Sequence, residues 1–180
     1  FTGLGTTPTG GIPRGFIGGI GEGAVAGRFG ARRPPSAGYA TFSPRFQAIG
    51  GNDFKGGLFW DGRATGLRLG QPAAEQALGP FTNPVEQAMH NPKAVLDRMI
   101  AAGDYAALWQ SVWNQSLTSS TTALVNTNYD RVGLAIAAYE GSPEVNSFSS
   151  KYDAFLRGQA QLTALEEQGL ILFNNKGECY

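Results

Sequence analysis

Apolar residues are spaced in two different ways along this chain. From about residue 72 onward they recur every three or four positions, the period of a helix that buries one face. Asn126 to Glu140 shows this most clearly. Tyr129, Val132, Ile136 and Tyr139 form one stripe, and Gly133 with three alanines leaves room for a close neighbour. Gly141-Ser142-Pro143 stops that helix. Asn91-Pro92 reads as a cap and first-turn proline for a helix carrying Val95, Leu96, Met99 and Ile100 and ended by Gly103. Asp104 can cap the next, whose apolar face is Tyr105, Leu108, Trp109, Val112 and Trp113, with a Ser/Thr-rich loop over 116–122 after it. Pro72 opens a short helix through Leu78, where Gly79-Pro80 is expected to end it. Asn83-Pro84-Val85-Glu86 repeats the cap–proline signal with an early carboxylate and predicts another helix start. Further on, Ser149 or Ser150 begins a helix with Tyr152, Phe155 and Leu156. The capping box Thr163-Ala164-Leu165-Glu166 begins the last, which carries Gly169, Leu172 and Phe173.

Residues 1 to about 70 have no such period and no β-alternation of useful length. Gly10-Gly11, Gly18-Gly19, Gly21, Gly23, Gly27, Gly30 and Pro34-Pro35 break every run. Gly18 to Gly23 superficially resembles a phosphate-cradling loop. No strand precedes it and no Walker lysine and serine follow, so nucleotide binding is not expected. A stretch this long without elements predicts a loop wrapped over a large ligand. The class expected is mainly α, with long Gly/Pro-rich loops.

Composition narrows the function. The 180 residues, 19.0 kDa, carry 14 basic and 14 acidic side chains. Zero net charge gives no support to recognition of nucleic acid or of an anionic membrane, and no stretch approaches the ~20 apolar residues of a membrane span. The start, Phe1-Thr2-Gly3-Leu4, has no initiator methionine and no signal-peptide pattern, as in a processed or cleaved chain. The single cysteine, Cys179, excludes an internal disulfide and a multi-cysteine metal site, and no metal site is expected from the chain's own residues. His90, the one histidine, reads as a surface or cap residue rather than a ligand. It follows Glu86 by four positions, but Asn91-Pro92 breaks the helix nearby. Lys176-Gly177-Glu178-Cys179-Tyr180 reads as a C-x-x-C-H haem site cut inside the motif.

Leu58-Phe59-Trp60-Asp61-Gly62-Arg63-Ala64 makes the chain recognisable. It strongly resembles the bacterial di-haem cytochrome c peroxidase and MauG-like family, in which F-W-D-G-R-A lies between two C-x-x-C-H motifs. The resemblance continues through Glu75-Gln76-Ala77-Leu78-Gly79-Pro80 and Asn83-Pro84-Val85-Glu86. It returns at Arg131 to Glu140, at Lys151-Tyr152-Asp153-Ala154-Phe155-Leu156, and at Gly169 to Phe173 leading into Cys179. It implies a cytochrome c-like di-haem peroxidase fold. Residues 1–145 would be the greater part of the N-terminal, peroxidatic haem domain without its attachment motif. Residues 146–180 would be a linker and the start of the second haem domain.

The resemblance also implies function: two haem c groups, a periplasmic location, and reduction of hydrogen peroxide to water. Electrons would come from a small cytochrome c or cupredoxin. The remaining segments of the same protein complete the haem sites, and a homodimer fits the family. Glu86 matches the family's distal glutamate. Peroxide cleavage needs a group that takes a proton from one oxygen and delivers it to the departing one, and a confined carboxylate can do both. Read alone, it is an early-helix glutamate favoured by the helix dipole. Gln76 matches the glutamine beside it, which holds water or peroxide. Trp60 matches the tryptophan between the haems, where an aromatic ring shortens an electron-transfer gap; the plainer reading is core filling. Asp61 and Arg63 match turn and haem-propionate-side contacts. Cys179 would attach the second haem.

The chain departs from the family pattern in three places. No histidine occurs in the Ala24 to Ser36 loop, where many members carry a ligand that leaves on activation. Arg33 stands where an asparagine supplies a calcium ligand, and a guanidinium cannot coordinate a cation, which weakens the expectation of calcium. The stretch from F-W-D-G-R-A to Gln76 is several residues longer, reshaping the pocket rim. Two other functions fit the same residues: MauG-like oxidation of a protein or organic substrate, and a haem subunit used only for electron transfer.

Overall fold

A computed structural model describes residues 16–17 and 20–177. Its elements in chain order are β1 (Phe16–Ile17), β2 (Ile20–Gly21), a 3-10 turn (Ala40–Phe42), β3 (Gln47–Gly50), β4 (Asp53–Lys55), α1 (Pro72–Thr82), α2 (Pro92–Ala102), α3 (Ala106–Trp113), α4 (Thr122–Glu140), α5 (Lys151–Leu156) and α6 (Ala164–Asn174). They divide into two compact units, one ending at Val145 and one beginning at Asn146.

In the first unit, α1 and α2 both pack against α4. Leu78, Leu96, Trp109, Val125 and Val132 form the main core cluster, and Ala73, Ala74 and Ala137 form a second where the backbones come closest. Gly133 sets that distance. A Cβ there would lie 2.5 Å from the Ala74 carbonyl oxygen and 2.9 Å from the Leu78 side chain. Asp104 does not cap α3, whose N-cap is Tyr105 with no side-chain cap bond, whereas the caps of α2 match the chemistry of their residues. Asn91 accepts from the Ala94 amide at 2.9 Å, and Gly103 ends α2 at φ 80°. Asn128, 1% exposed, donates to the Thr118 carbonyl at 2.7 Å, fastening the Ser/Thr-rich loop to α4.

Three further elements differ from expectation. Helix α1 does not stop at Gly79-Pro80 but runs to Thr82. A proline in the last turn forgoes only its own bond to the Gln76 carbonyl. The Pro80 and Phe81 carbonyls are then capped by the Gln87 and Met89 amides at 3.1 and 2.9 Å. Asn83-Pro84-Val85-Glu86 opens a single turn, not a helix. The Asn83 carbonyl accepts from both Glu86 and Ala88, and Ala88 at φ 53° ends the winding. Finally, the glycine-rich region contains two antiparallel ladders, β1–β2 and β3–β4, the second with a register shift between Ala48 and Gly50.

The second unit holds α5 and α6, each begun by a capping box: Ser150 with Asp153, and Thr163 with Glu166. Lys151 joins Glu166 at 2.6 Å. Donation from Lys151 and Thr163 holds the Glu166 carboxyl down at about 2. Cys179 lies outside the described residues.

Candidate functional site

The first unit contains a cleft of about 800 Å³, within the ~300–1,000 Å³ range of ligand and cofactor sites. Helix α1 contributes Gln76, Ala77 and Pro80; the end of α4 contributes Ile136, Tyr139 and Glu140. The other sides are the Leu58–Arg63 segment, the turn around Glu86, and the loop from Ile20 to Ala37. Gln76, Glu86, Trp60 and Arg63, separated in sequence, therefore line one space.

The F-W-D-G-R segment is a tight hairpin closed by Leu58 and Ala64, whose amides donate to each other's carbonyls at 2.9 and 3.2 Å. Phe59 sits at φ 63°, a strained conformation for an aromatic residue. Its ring lies 3.1 Å from where a Cβ on Gly79 would stand, and the Arg63 guanidinium covers it at 3.7 Å from the centroid. Trp60 does not fill the core. It is 73% exposed at the cleft and donates from Nε1 to the Arg33 carbonyl at 3.2 Å. Asp61 takes Arg63 on both oxygens, at 2.9 and 2.8 Å, and Arg32 at 3.3 Å. Partial burial raises the Asp61 carboxyl, but the Arg63 amide and guanidinium and the Arg32 guanidinium together carry it below its ordinary value.

The turn at Glu86 is built by Asn83. The Asn83 Oδ1 accepts from the Val85 amide at 3.1 Å, while its Nδ2 donates to Glu86 Oε2 at 2.7 Å. The glycine-rich loop lies directly on this turn. Ala24 donates to the Glu86 carbonyl at 2.6 Å, and Arg28 donates to the Pro84 carbonyl at 3.3 Å. A Cβ on Gly23 would sit 2.3 Å from the Val85 carbonyl oxygen, so only glycine permits this approach. His90 is exposed, and the Ala88 reversal separates it from Glu86.

Two carboxylates that sequence reasoning did not single out belong to this region. Glu140, 6% exposed, lines the cleft at the end of α4, and burial pushes its carboxyl up. Its signal was a carboxylate closing an apolar stripe. Glu75 accepts from Thr65 Oγ1 and the Gly66 amide on Oε2, at 3.3 and 2.8 Å, and from the Arg68 and Leu69 amides on Oε1, at 2.8 and 3.0 Å. Burial raises its carboxyl; those donors outweigh it and hold the group below the ordinary glutamate value. It opens the Glu75-to-Pro80 motif, but its role was not legible there, because backbone amides carry no residue code. Among the described residues, no three His, Cys, Asp or Glu side chains converge to hold a metal ion.

The cleft's chemistry suits a flat amphiphilic cofactor. Leu58, Phe59, Ala77 and Ile136 offer apolar walls, while Arg32, Arg33 and Arg63 offer cations for carboxylates. The Glu86 carboxylate and the Gln76 amide line the same cleft as these walls. The sequence matches the di-haem cytochrome c peroxidase family over residues 10–161, and the chain belongs to that family. It is 35% identical over 144 residues to the methylamine utilization protein MauG of Paracoccus denitrificans (strain Pd 1222), covering 80% of this chain and 35% of that protein. The diheme peroxidase BthA from Burkholderia thailandensis E264 superposes with a TM-score of 0.68 at 31% identity, covering 87% of this chain and 35% of that one. A tyrosine-to-methionine variant of it gives 0.67 at 31% identity, over 87% and 36%. The fold is thus the mainly α, cytochrome c-like fold of di-haem peroxidases, and the chain spans about a third of the length of these relatives.

Proposed function

We propose that this chain forms the distal side of the peroxidatic haem site in a di-haem c-type peroxidase that reduces hydrogen peroxide to water. The observation carrying this reading is the convergence of Gln76, Glu86, Trp60 and Arg63 on one cleft. Residues 1–145 would be the greater part of the peroxidatic domain, and 146–180 the linker and start of the second haem domain.

The overall reaction takes peroxide, two electrons and two protons to two waters. Haem, when bound, supplies the redox chemistry at iron. The protein's part is to move protons and keep the oxygens in place. Glu86, half-buried and oriented by the Asn83 amide, takes the proton from one peroxide oxygen and returns it to the departing one. Gln76, on the facing helix, holds peroxide or water by hydrogen bonding. Arg63, with Arg32 and Arg33, would hold the haem carboxylates, and the Leu58, Phe59 and Ile136 side chains would enclose the ring. Trp60, exposed at the cleft, stands as an electron relay toward the second haem, which Cys179 would attach. Electrons come from a small cytochrome c or cupredoxin in the periplasm, the compartment suited to covalent haem, and the complete protein is proposed as a homodimer. Calcium is not assigned, since Arg33 cannot coordinate a cation.

A second reading, MauG-like oxidation of a protein or organic substrate, draws support from the 35% identity to MauG and from the Ala24 to Ser36 loop, which lacks histidine. Full-length protein assayed with peroxide separates the two. Rapid turnover with a reduced small cytochrome supports the peroxidase. Slow turnover with oxidation of an added protein substrate favours the second reading. A protein without c-type haem absorption overturns both.

A further inference from the structure

We propose that Glu75 is a positioning residue for the cleft. Its carboxylate fixes the hairpin bearing Trp60, Asp61 and Arg63 to α1, one residue before Gln76 enters the same space. The inference rests on the cleft assignment above, but its chemistry is independent of haem.

The geometry is that of a filled acceptor. Both oxygens of Glu75 are used twice, by the Gly66 amide and Thr65 hydroxyl on one side and by the Arg68 and Leu69 amides on the other. A carboxylate has about four lone-pair sites, so this group is saturated. Three convergent backbone amides form a nest that needs a negative acceptor. The tip of their loop is exposed at Leu67, 65%, while Leu69 at its far end packs against the helix core. Gly66, at φ 72°, has Pro72 ring atoms 2.6 and 2.8 Å from a would-be Cβ, so the loop turns against the first residue of α1.

The other end of this loop is the hairpin itself. Ala64 is buried and paired with Leu58, and Thr65 accepts from the Phe46 amide at 2.8 Å. Tension or slack over 65–69 therefore passes directly into 58–64. Two further polar ties are weaker: the Leu67 amide donates to Thr65 Oγ1 at 3.3 Å within the loop, and Arg68 meets Asp130 at 2.5 Å in an exposed pair of the kind that contributes little.

Glu75→Gln tests this in the full-length protein, because the amide keeps the shape but turns a donor toward two of the four donors. Hydrogen exchange resolved to single amides is the readout. The expected result is exchange faster by at least about tenfold at Gly66, Arg68 and Leu69 and also at Leu58 and Ala64, with the α4 amides unchanged. Glu75→Asp, which retains the charge, restores part of the protection. Acceleration confined to residues 66–69 would overturn the proposal, showing a local clip without hold on the hairpin. Acceleration extending through α4 would also overturn it, showing a general stabilising role. Neither result bears on whether the cleft binds haem.

Discussion

The two sides of the cleft are held by different forces. On the α1–α4 side, position is set by packing: Ala73, Ala74 and Ala137 are buried where the helices meet, and Gly133 admits the Ala74 carbonyl. On the side made by residues 20–69, few large side chains are buried. Leu58 and Leu69 rest half-buried on the helices, and polar contacts hold the remainder: Ala24 on Glu86, Trp60 on Arg33, and the Glu75 nest. The rigid side carries Gln76, while the hydrogen-bonded side carries Trp60 and Arg63.

Gly133→Ala attacks the packed side. The added methyl meets backbone that cannot yield, and stability should fall by about 3 kcal/mol or more, read by denaturant unfolding. An unchanged midpoint would contradict the packing account. Gly23→Ala makes the same chemical change on the other side. There the loop can lift away from the Val85 carbonyl, so the cost should be smaller, about 1 kcal/mol, with limited proteolysis newly cutting residues 20–30. Equal losses in the two variants would erase the distinction. Asn83→Ala removes both the donor that orients Glu86 and the acceptor for the Val85 amide; peroxide reactivity should drop about tenfold, with a stability loss of about 1 kcal/mol or less.

The smallest effect sharpens the contrast through pH. Burial raises the Glu140 carboxyl, so the folded state binds its proton more tightly than the unfolded state. Stability from this group is greatest below the ordinary value of 4.5 and is lost as pH rises through the folded value above it. Glu75 has the opposite sign: its contribution is present above 4.5 and is lost as pH falls through a lower folded value. Glu140→Gln should therefore gain on the wild type as pH rises, while Glu75→Gln should lose most at neutral pH. Melting curves across pH 3–8 check both.

Much of the packed side was legible in the sequence. The stripe of Tyr129, Val132 and Ile136 and the Asn91-Pro92 cap are local signals that tertiary structure did not overrule, as is the Thr163 capping box in the second unit. Pro80 misled, because its effect depends on where it falls in the helix and on the Gln87 and Met89 amides that arrive from beyond it. Asn83-Pro84 misled for a related reason, since the Asn83 carbonyl closes the turn before a helix can propagate. The β3–β4 ladder has every residue exposed and so leaves no alternation to read. At the site, Gln76, Glu86, Trp60 and Arg63 were identified through motif resemblance. Glu75 and Glu140 fell within the resembling stretches without a role, as the amides around the one and the burial of the other are made only by the folded chain.

The central claim is that Glu86 handles the peroxide proton in this cleft. Stopped-flow mixing of peroxide with the full-length protein, wild type against Glu86→Gln, measures it most directly. The prediction is a rate lower by about 10²–10⁴-fold with haem content and melting temperature preserved. A variant that reacts at the wild-type rate would contradict it.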